Sequence, residues 1–230
     1  MQIIPAKTPD FVKTWFPNFI WNINTKKKEL YLTFDDGPTP EITDWVLKTL
    51  KTYNAKATFF CIGNNIEKHP DIFNRILNGG HSVGNHTFNH LKGWRCNTDE
   101  YVEDIKKTQA LIRAATSADY ASHLKLFRPP YGKFKAKQSK QIQSLGYTII
   151  LWDVLSYDWD VTVSKASCLK NVITTAKEGS IVVFHDSVKA FPNLKYALPK
   201  VLDNYSKKGF SFKGLQQNRD LLIQIPELSQ

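Results

Sequence analysis

Two adjacent carboxylates, Asp35 and Asp36, follow a short apolar run that reads Leu-Tyr-Leu-Thr-Phe. The run is typical of a buried strand, and the Gly-Pro pair after the carboxylates predicts a turn. Neighbouring side chains of a strand point to opposite faces, so the two carboxylates can share one site only where the strand ends. Carboxylates held close together repel each other unless a cation or hydrogen-bond donors compensate. The pair therefore indicates a cation-binding position.

His86 and His90 are spaced as metal ligands can be. Four residues apart, they would point the same way on one helical turn, although such pairs also occur as ordinary surface or core histidines. The residue after the first histidine is Thr87, where one group of metalloproteases has a glutamate base, so a base must come from elsewhere. Two histidines and one aspartate make an open three-ligand site for Zn²⁺ or Fe²⁺. We expect one carboxylate of the pair to bind metal and the other to act as base.

Other polar and aromatic residues lie at the predicted ends of strands. Arg128 could pair with the free carboxylate and orient it, or be a surface arginine before a turn. His185 ends an apolar run and is suited to proton donation at neutral pH, or is structural. Trp152, Tyr157 and Trp159 offer faces suited to sugar rings, or pack in the core.

Composition bounds the class of protein. The chain has 230 residues, of which 42% are hydrophobic, enough for one domain with a sizeable core. Cys61, Cys96 and Cys168 form neither a close metal-binding pair nor an even set, so we expect no structural disulfide. The net charge of +10 favours anionic surroundings and is equally compatible with solubility alone.

No apolar run approaches the roughly 20 residues that a membrane span requires. Prolines and charged residues interrupt the first 23 residues, which therefore lack the apolar centre of a secretory signal. We expect either a cytoplasmic protein or a sequence that lacks its leader.

Predicted strands alternate with predicted helices along the chain, with about seven strands. This alternation indicates parallel βα units, and the length favours a distorted (β/α) barrel of the α/β class in a single domain. We expect residues 1–29 to be an N-terminal extension and 30–230 the catalytic domain. We also predict a helix from Thr39 to about Tyr53, one strand over 147–154 and a late helix beginning at Ala197. In such barrels the site lies at the carboxyl ends of the strands, where the polar residues above collect.

Five motifs occur in the order typical of one enzyme family. They are TFDDGP, HTFNH, RPPYG, DVLSYDW and VVFH. On these motifs the chain resembles the polysaccharide deacetylases of carbohydrate esterase family 4, the NodB-like domain, over about residues 30–215. The resemblance implies a distorted (β/α) barrel that hydrolyses N-acetyl groups of amino sugars, or O-acetyl groups of xylan in some members. It also implies one divalent metal ion, with Zn²⁺ expected and Co²⁺, Ni²⁺ or Fe²⁺ as alternatives.

The resemblance also implies a role for each matching position. It implies that Asp35 is the catalytic base, that Arg128 braces this base, and that His185 is the catalytic acid. The implied metal ligands are Asp36, His86 and His90, and the implied oxyanion donor is the Tyr131 N–H. The residues implied in the substrate groove are Trp159, Val183 and Pro130.

One position departs from the family pattern. Leu155 stands where the family usually has the aspartate that tunes the acid histidine. Asp153, two residues earlier and on the same strand face, is the expected substitute, with Asp158 and Asp186 as alternatives.

Three other functions compete with N-deacetylation. Leu155 raises the possibility of a carbohydrate-binding protein that has lost its chemistry, and an O-acetyl xylan esterase would use the same site. A phosphodiesterase or nuclease would fit the basic charge, but two-metal phosphoryl chemistry usually needs more carboxylates. We expect a monomer that acts on an acetylated polysaccharide or oligosaccharide, without nucleic acid and with possible peripheral contact to an anionic cell envelope. The aromatic N-terminal segment is expected to cover the barrel.

Overall fold

The structure is a computed structural model that describes residues 5–116 and 125–215. The last residues of the predicted catalytic domain, 216–230, therefore lie outside the described part. Its helices are α1 Asp10–Trp15, α2 Ile42–Thr52, α3 Gly63–Lys68, α4 Pro70–Asn78, α5 Thr98–Ala115, α6 Ala136–Ser144, α7 Lys165–Ile173 and α8 Phe191–Lys207. Its strands are β1 Glu29–Asp35, β2 Thr58–Cys61, β3 Ser82–Asn85, β4 Lys125–Phe127, β5 Tyr147–Ile149, β6 Val154–Leu155, β7 Ile181–His185 and β8 Ser211–Phe212.

Seven of the strands form one parallel, curled sheet. Their spatial order is β5-β4-β3-β2-β1-β7-β6, and β8 pairs with the start of β1. The central strand β1 is bonded in parallel to β2 and β7, with Asp35 opposite Phe60 and His185. The predicted distorted (β/α) barrel is thus confirmed, and the order brings the ends of β1 and β7 side by side.

Strand β1 is buried on both faces, which explains its continuous apolar sequence. Leu32 and Phe34 belong to the large core beneath the helices. Tyr31 belongs instead to a second cluster with residues of the neighbouring strands, including Phe60. Because side chains alternate along a strand, Asp35 lies on the same face as Tyr31, toward the interior of the barrel.

The prediction of one strand over 147–154 is wrong. The segment contains β5 and β6, which lie on opposite edges of the sheet. The N-terminal segment lies between these edges, because Ile20 pairs with Ile150 and Lys7 pairs with Val154. The chain after β5 is hydrogen-bonded to the N-terminal segment near Ile20 and again near Lys7. Residues 147–154 therefore do not form a single continuous strand.

The N-terminal segment is also attached through a buried carboxylate. Asp153, only 1% exposed, accepts hydrogen bonds from the ammonium groups of Lys7 and Lys13 and from the hydroxyl of Ser180. Ile20 and Ile23 are buried in the interior cluster.

The N-terminal aromatic residues do not all behave as expected. Phe19 packs on Phe134 with ring centroids 5.5 Å apart. Phe11, Trp15 and Phe16 are exposed, so they do not cover the barrel.

Two helices begin away from their predicted starts. Helix α2 begins at Ile42 because Glu41 has a φ of 65°, a left-handed conformation that cannot continue a helix. Helix α8 begins at Phe191, six residues before Ala197, with a proline in its first turn. Within the described ranges, no helix has the length and apolar character needed to cross a bilayer.

Candidate active site

The Asp pair occupies the end of β1 as its sequence predicts. Asp36 has a φ of 81°, so the backbone turns sharply after Asp35 and leaves the strand. Asn65 donates a 2.7 Å hydrogen bond to the carbonyl oxygen of Asp36 and helps to hold that turn. Gly37 is required next, because a Cβ there would lie 2.1 Å from a carboxylate oxygen of Asp186.

The two histidines lie on a loop after β3, so the expectation of a helical turn is wrong. Left-handed backbone at Thr87 and His90, with φ of 65° and 54°, prevents a helix. Asp104 of α5 holds the loop instead: its carboxylate accepts hydrogen bonds from the backbone N–H groups of Phe88 and Asn89, at 2.7 and 2.9 Å.

The loop brings both imidazoles to the carboxylate of Asp36. The Nε2 atoms of His90 and His86 lie 3.3 and 3.7 Å from Asp36 Oδ1. Tetrahedral Zn²⁺ would separate such donor atoms by about 3.4 Å, so the residues present fit a divalent cation. His86 Nδ1–H donates a 2.7 Å hydrogen bond to the carbonyl of Arg128, which leaves the Nε2 lone pair available as a ligand.

The electrostatics also match a ligand set. Burial opposes ionisation of Asp36, but the hydrogen bond from His90 and the charges of His185, His86 and His90 hold its pKa well below the usual range. Burial lowers the pKa of His86 to about 4. A deprotonated carboxylate and a neutral imidazole, the forms that bind metal, therefore prevail at neutral pH.

Arg128 is fully buried and bonded to the other carboxylate. Its guanidinium donates to Asp35 Oδ1 and to the hydroxyl of Thr33, each at 2.7 Å, and to the carbonyl of Leu151 at 2.9 Å. It also lies over the ring of Phe60, 4.1 Å from the centroid. These contacts fix the position of Asp35, and within the described residues they leave Asp35 Oδ2 without a hydrogen-bond partner.

The partner of His185 is Asp158, so the expectation that Asp153 would fill this role is wrong. His185 Nδ1–H donates a 2.8 Å hydrogen bond to Asp158 Oδ1, and the His185 backbone N–H donates to Oδ2 of the same carboxylate. Asp153 is instead bound by Lys7, Lys13 and Ser180. Asp186, the other alternative, receives hydrogen bonds from Thr43 and Gly37.

This contact changes the protonation of His185. Burial lowers its pKa, but the charge and hydrogen bond of Asp158, with smaller contributions from Asp36 and Asp35, raise the pKa to about 9. The imidazole is therefore protonated at neutral pH and can donate a proton from Nε2.

Tyr131 follows two prolines and has a left-handed φ of 61°. Its backbone N–H donates to no other group among the described residues. Tyr131 is 49% exposed, and its ring lies beside His90, with centroids 4.8 Å apart. A free N–H beside the loop that carries His86 and His90, here called the ligand loop, is suited to donate a hydrogen bond to an oxyanion.

These residues surround one open cavity of about 580 Å³. Its lining residues are Asp35, Asp36, His86, His90, Lys92, Trp94, Pro129, Tyr131, Gly132, Lys133, Trp152, Leu155, Trp159, Val183, His185, Ser187 and Lys189. Trp159 and Val183 are thus in place, and Trp159 lies against His185 with centroids 4.8 Å apart. Pro130 is buried and does not line the cavity, whereas Pro129 does.

Sequence reasoning missed several contributors, among them Asp104, Trp94 and Lys92. Asp104 gave no signal, because only the fold brings α5 to the ligand loop. Trp94 and Lys92 follow the second histidine closely, which was the available hint that they line the site.

A (β/α) barrel with two histidines and an aspartate at one point, a second carboxylate beside them and a protonated histidine lining the same cavity has the groups that a hydrolase site uses. The sequence model of one family, polysaccharide deacetylase, matches residues 22–150, more than half of the chain. The chain therefore belongs to the polysaccharide deacetylase family, which confirms the resemblance of its motifs.

Known proteins agree with this assignment. A peptidoglycan-N-acetylglucosamine deacetylase of Bacillus cereus is 38% identical over 187 residues, which are 81% of this chain and 66% of that protein. A chitooligosaccharide deacetylase of Rhizobium leguminosarum bv. trifolii is 29% identical over 83% of this chain and 91% of its own length. The crystal structure of the Bc1960 peptidoglycan N-acetylglucosamine deacetylase superposes with a TM-score of 0.81, at 34% identity, over 91% of this chain and 96% of that one.

Proposed function

We propose that the protein is a metal-dependent hydrolase that removes N-acetyl groups from an amino-sugar polysaccharide and releases acetate. The observation that carries the proposal is the arrangement of three groups around one cavity. Asp36, His86 and His90 form a ligand set at its floor. Asp35, held by Arg128, lies beside that set, and His185, held by Asp158, lines the same cavity.

A divalent cation held by Asp36, His86 and His90 would supply Lewis acidity toward the acetyl carbonyl and lower the pKa of water. Zn²⁺ is the metal we propose, with Co²⁺, Ni²⁺ or Fe²⁺ as alternatives, because two imidazoles and one carboxylate suit all four. Asp35 accepts the proton of the attacking water through Oδ2, since Arg128 occupies Oδ1. Arg128 keeps the Asp35 carboxylate oriented for this step.

The rest of the reaction falls to two donors. The Tyr131 N–H donates to the oxygen that becomes negative when water adds to the acetyl carbon, a contribution typically about 3 kcal/mol. His185 then gives the Nε2 proton to the departing amine, so that a neutral amine and acetate result. His185 holds this proton at neutral pH because its pKa is raised to about 9.

The substrate class is supported by the relatives and by the cavity. Of the three proteins described above, two are named for peptidoglycan and one for chitooligosaccharides, polymers that carry N-acetylglucosamine. The exposed faces of Tyr131 and Trp94 beside the ligand loop suit contact with sugar rings. We propose N-acetylglucosamine residues of such a polymer as the reacting group.

Metal-stripped protein tests the proposal directly. Acetate release is measured with and without added Zn²⁺ or Co²⁺ on N-acetylglucosamine oligomers, peptidoglycan and acetylated xylan, with Asp35→Asn as the control. We expect metal-dependent release from an amino-sugar substrate, reduced about 10²–10⁴-fold in the control. Release from acetylated xylan alone would show an O-acetyl esterase instead.

A carbohydrate-binding protein without chemistry is the other outcome. It would bind oligosaccharides and metal but release no acetate from any of the three substrates. The observation that motivated it, Leu155, loses weight because Asp158 supplies the carboxylate that His185 needs.

A further inference from the structure

The cavity has an unequal distribution of charge around its rim. Its carboxylates, Asp35 and Asp36, both lie at the floor, where Arg128 and the ligand histidines face them. The other charged residues that line the cavity outside the ligand and acid–base groups are three lysines, at positions 92, 133 and 189. A ligand in the cavity therefore meets positive charge at the rim.

Two of these lysines share one side with two exposed aromatic rings. We call Lys92, Trp94, Tyr131 and Lys133 the basic flank. The Trp94 and Tyr131 rings meet edge to face, with centroids 5.4 Å apart and planes at 84°. Lys92 Nζ lies 5.5 Å from the Tyr131 centroid, and Lys133 Nζ lies 5.9 Å from the Trp94 centroid.

The ammonium groups of the basic flank have no acidic partner. Among the described residues, no carboxylate lies within ion-pair distance of Lys92 or Lys133. Lys189 differs, because its charge adds a smaller contribution to the hydrogen bonds from Thr162 that lower the pKa of Asp160. Two uncompensated cations at the rim, each near an aromatic ring, fit an anion carried by the ligand.

The basic flank also lies next to the proposed metal ligands. Tyr131 contacts the ligand His90 on one side and Trp94 on the other. A polysaccharide whose reacting sugar sits over Asp36 would therefore place a neighbouring sugar on the Tyr131 and Trp94 rings. Substituents of that neighbouring sugar would reach Lys92 and Lys133.

We infer, building on the proposed deacetylase function, that Lys92 and Lys133 select an acidic glycan. They bind an anionic substituent on a sugar next to the reacting N-acetylglucosamine. A carboxylate and a phosphate share this chemistry, and the experiment separates them. The two lysines are specificity-determining residues, whereas the acetyl chemistry is carried by the floor of the cavity.

Matched substrates test the inference. Three oligosaccharides of equal length are compared: one of N-acetylglucosamine alone, one in which alternate sugars carry a lactyl carboxylate, and one in which they carry a phosphate. The carboxylate form is also converted to its methylamide, which removes the charge and keeps the shape. The variants are the Lys92→Gln/Lys133→Gln double variant and, as a control, Lys140→Gln, an exposed lysine that does not line the cavity.

We expect the native protein to have a higher kcat/KM on at least one anionic oligosaccharide than on the neutral one, with the preference decreasing as salt increases. The double variant should lose about three- to tenfold of this preference, as expected for exposed ion pairs, and Lys140→Gln should keep it. Preference for the carboxylate or the phosphate form identifies the anion. Equal rates on the charged and methylamide forms, or equal loss by the double variant on both, would overturn the inference.

Binding keeps the inference testable apart from catalysis. Affinity of the same oligosaccharides for Asp35→Asn is measured by calorimetry. Tighter binding of the anionic forms, weakened by the two lysine substitutions, supports the basic flank even if no acetate is released, and in that case only the proposed function fails. Indifference to the charge of the ligand in both assays would exclude the inference while leaving deacetylation intact.

Discussion

At the scale of single residues, the site depends on backbone conformations that side chains rarely adopt. Asp36, His90 and Tyr131 all have positive φ, at 81°, 54° and 61°. Each such conformation costs about 1–3 kcal/mol and persists only where its surroundings hold it. Here the hydrogen bonds of the strand end, the ligand loop and the proline turn hold them. His185 also depends on a neighbouring group, because the carboxylate of Asp158 keeps it protonated.

Asp158→Asn tests that dependence. Burial lowers the pKa of His185, but Asp158, with smaller contributions from Asp36 and Asp35, raises it from the ordinary value of 6.5 to about 9. In the proposed mechanism His185 donates its proton only below its pKa, so removal of the carboxylate should move the high-pH decline of kcat/KM to lower pH, by about one to two pH units. The pH profile of acetate release measures the change.

Asp160→Asn is the matched control, because Asp160 lies on the same loop but its carboxylate is bonded to Thr162. Its profile should follow that of the native protein. An unshifted profile for Asp158→Asn would show that His185 does not set the high-pH limit.

At the scale of elements, the ligand loop is positioned by a helix that contributes no ligand. Asp104 is buried on α5 and accepts three hydrogen bonds from the loop, from two backbone N–H groups and the Asn89 side chain. Helix α5 thereby holds the loop that carries His86 and His90. The proposed metal site is thus built from a strand end and a loop, and a neighbouring helix gives that loop its geometry.

Asp104→Ala should weaken metal binding although every ligand remains. We expect a loss of about tenfold or more in Zn²⁺ affinity, as for other groups that orient metal ligands. Competition with a chromophoric chelator measures the affinity. Glu103→Ala, on the exposed face of the same helix and bonded to Lys106, should bind Zn²⁺ as the native protein does. Equal affinities for both variants would contradict this account of the loop.

At the scale of the whole molecule, the barrel is completed by the N-terminal segment. The parallel sheet leaves β5 and β6 at its two edges, and Ile20 and Lys7 pair with the chain at those edges. Asp153 binds Lys7 and Lys13 across about 140 residues of sequence. A buried carboxylate with two ammonium partners thus links the beginning of the chain to its last third.

Asp153→Ala should lower stability and loosen the N-terminal segment without removing a site residue. Because Lys7 and Lys13 are partly exposed and can regain water, we expect a loss of about 1–3 kcal/mol in the free energy of unfolding. Urea unfolding measures the loss, and limited proteolysis should cleave within residues 5–23 sooner. Asp203→Ala, which removes an exposed pair on α8, is the control.

The pH dependence of this effect has a definite sign. Burial opposes ionisation of Asp153, but hydrogen bonds from Lys13, Lys7 and Ser180 lower its pKa below 3.8. The carboxylate therefore contributes stability above pH 3.8, and the contribution is lost as the pH falls through the lowered pKa of the folded state. The native protein and Asp153→Ala should become equally stable in acid. A difference that persists there would assign the effect to packing.

Local sequence is sufficient to predict much of the fold and many of the candidate site residues of this protein. Apolar runs, glycine and proline predicted the parallel strands, the alternation with helices and the barrel, and five short motifs predicted the family. The sequence also indicates five candidate functional residues, because each stands at or just beyond a strand end: Asp35, Asp36, His86, Arg128 and His185. Such features are encoded within a few neighbouring residues, where hydrophobic period and turn chemistry act.

Contacts between distant segments were decided only by the tertiary structure. Asp153 and Asp158 are both acidic residues near the end of one strand, yet the first binds the N-terminal lysines and the second binds His185, 27 residues away. The same applies to the loop conformation of His90, set by Asp104, and to the division of residues 147–154 between two edges of the sheet. The physical reason is that these contacts depend on strand order and on which edges remain open. Neither property is contained in the hydrophobic pattern of a single segment.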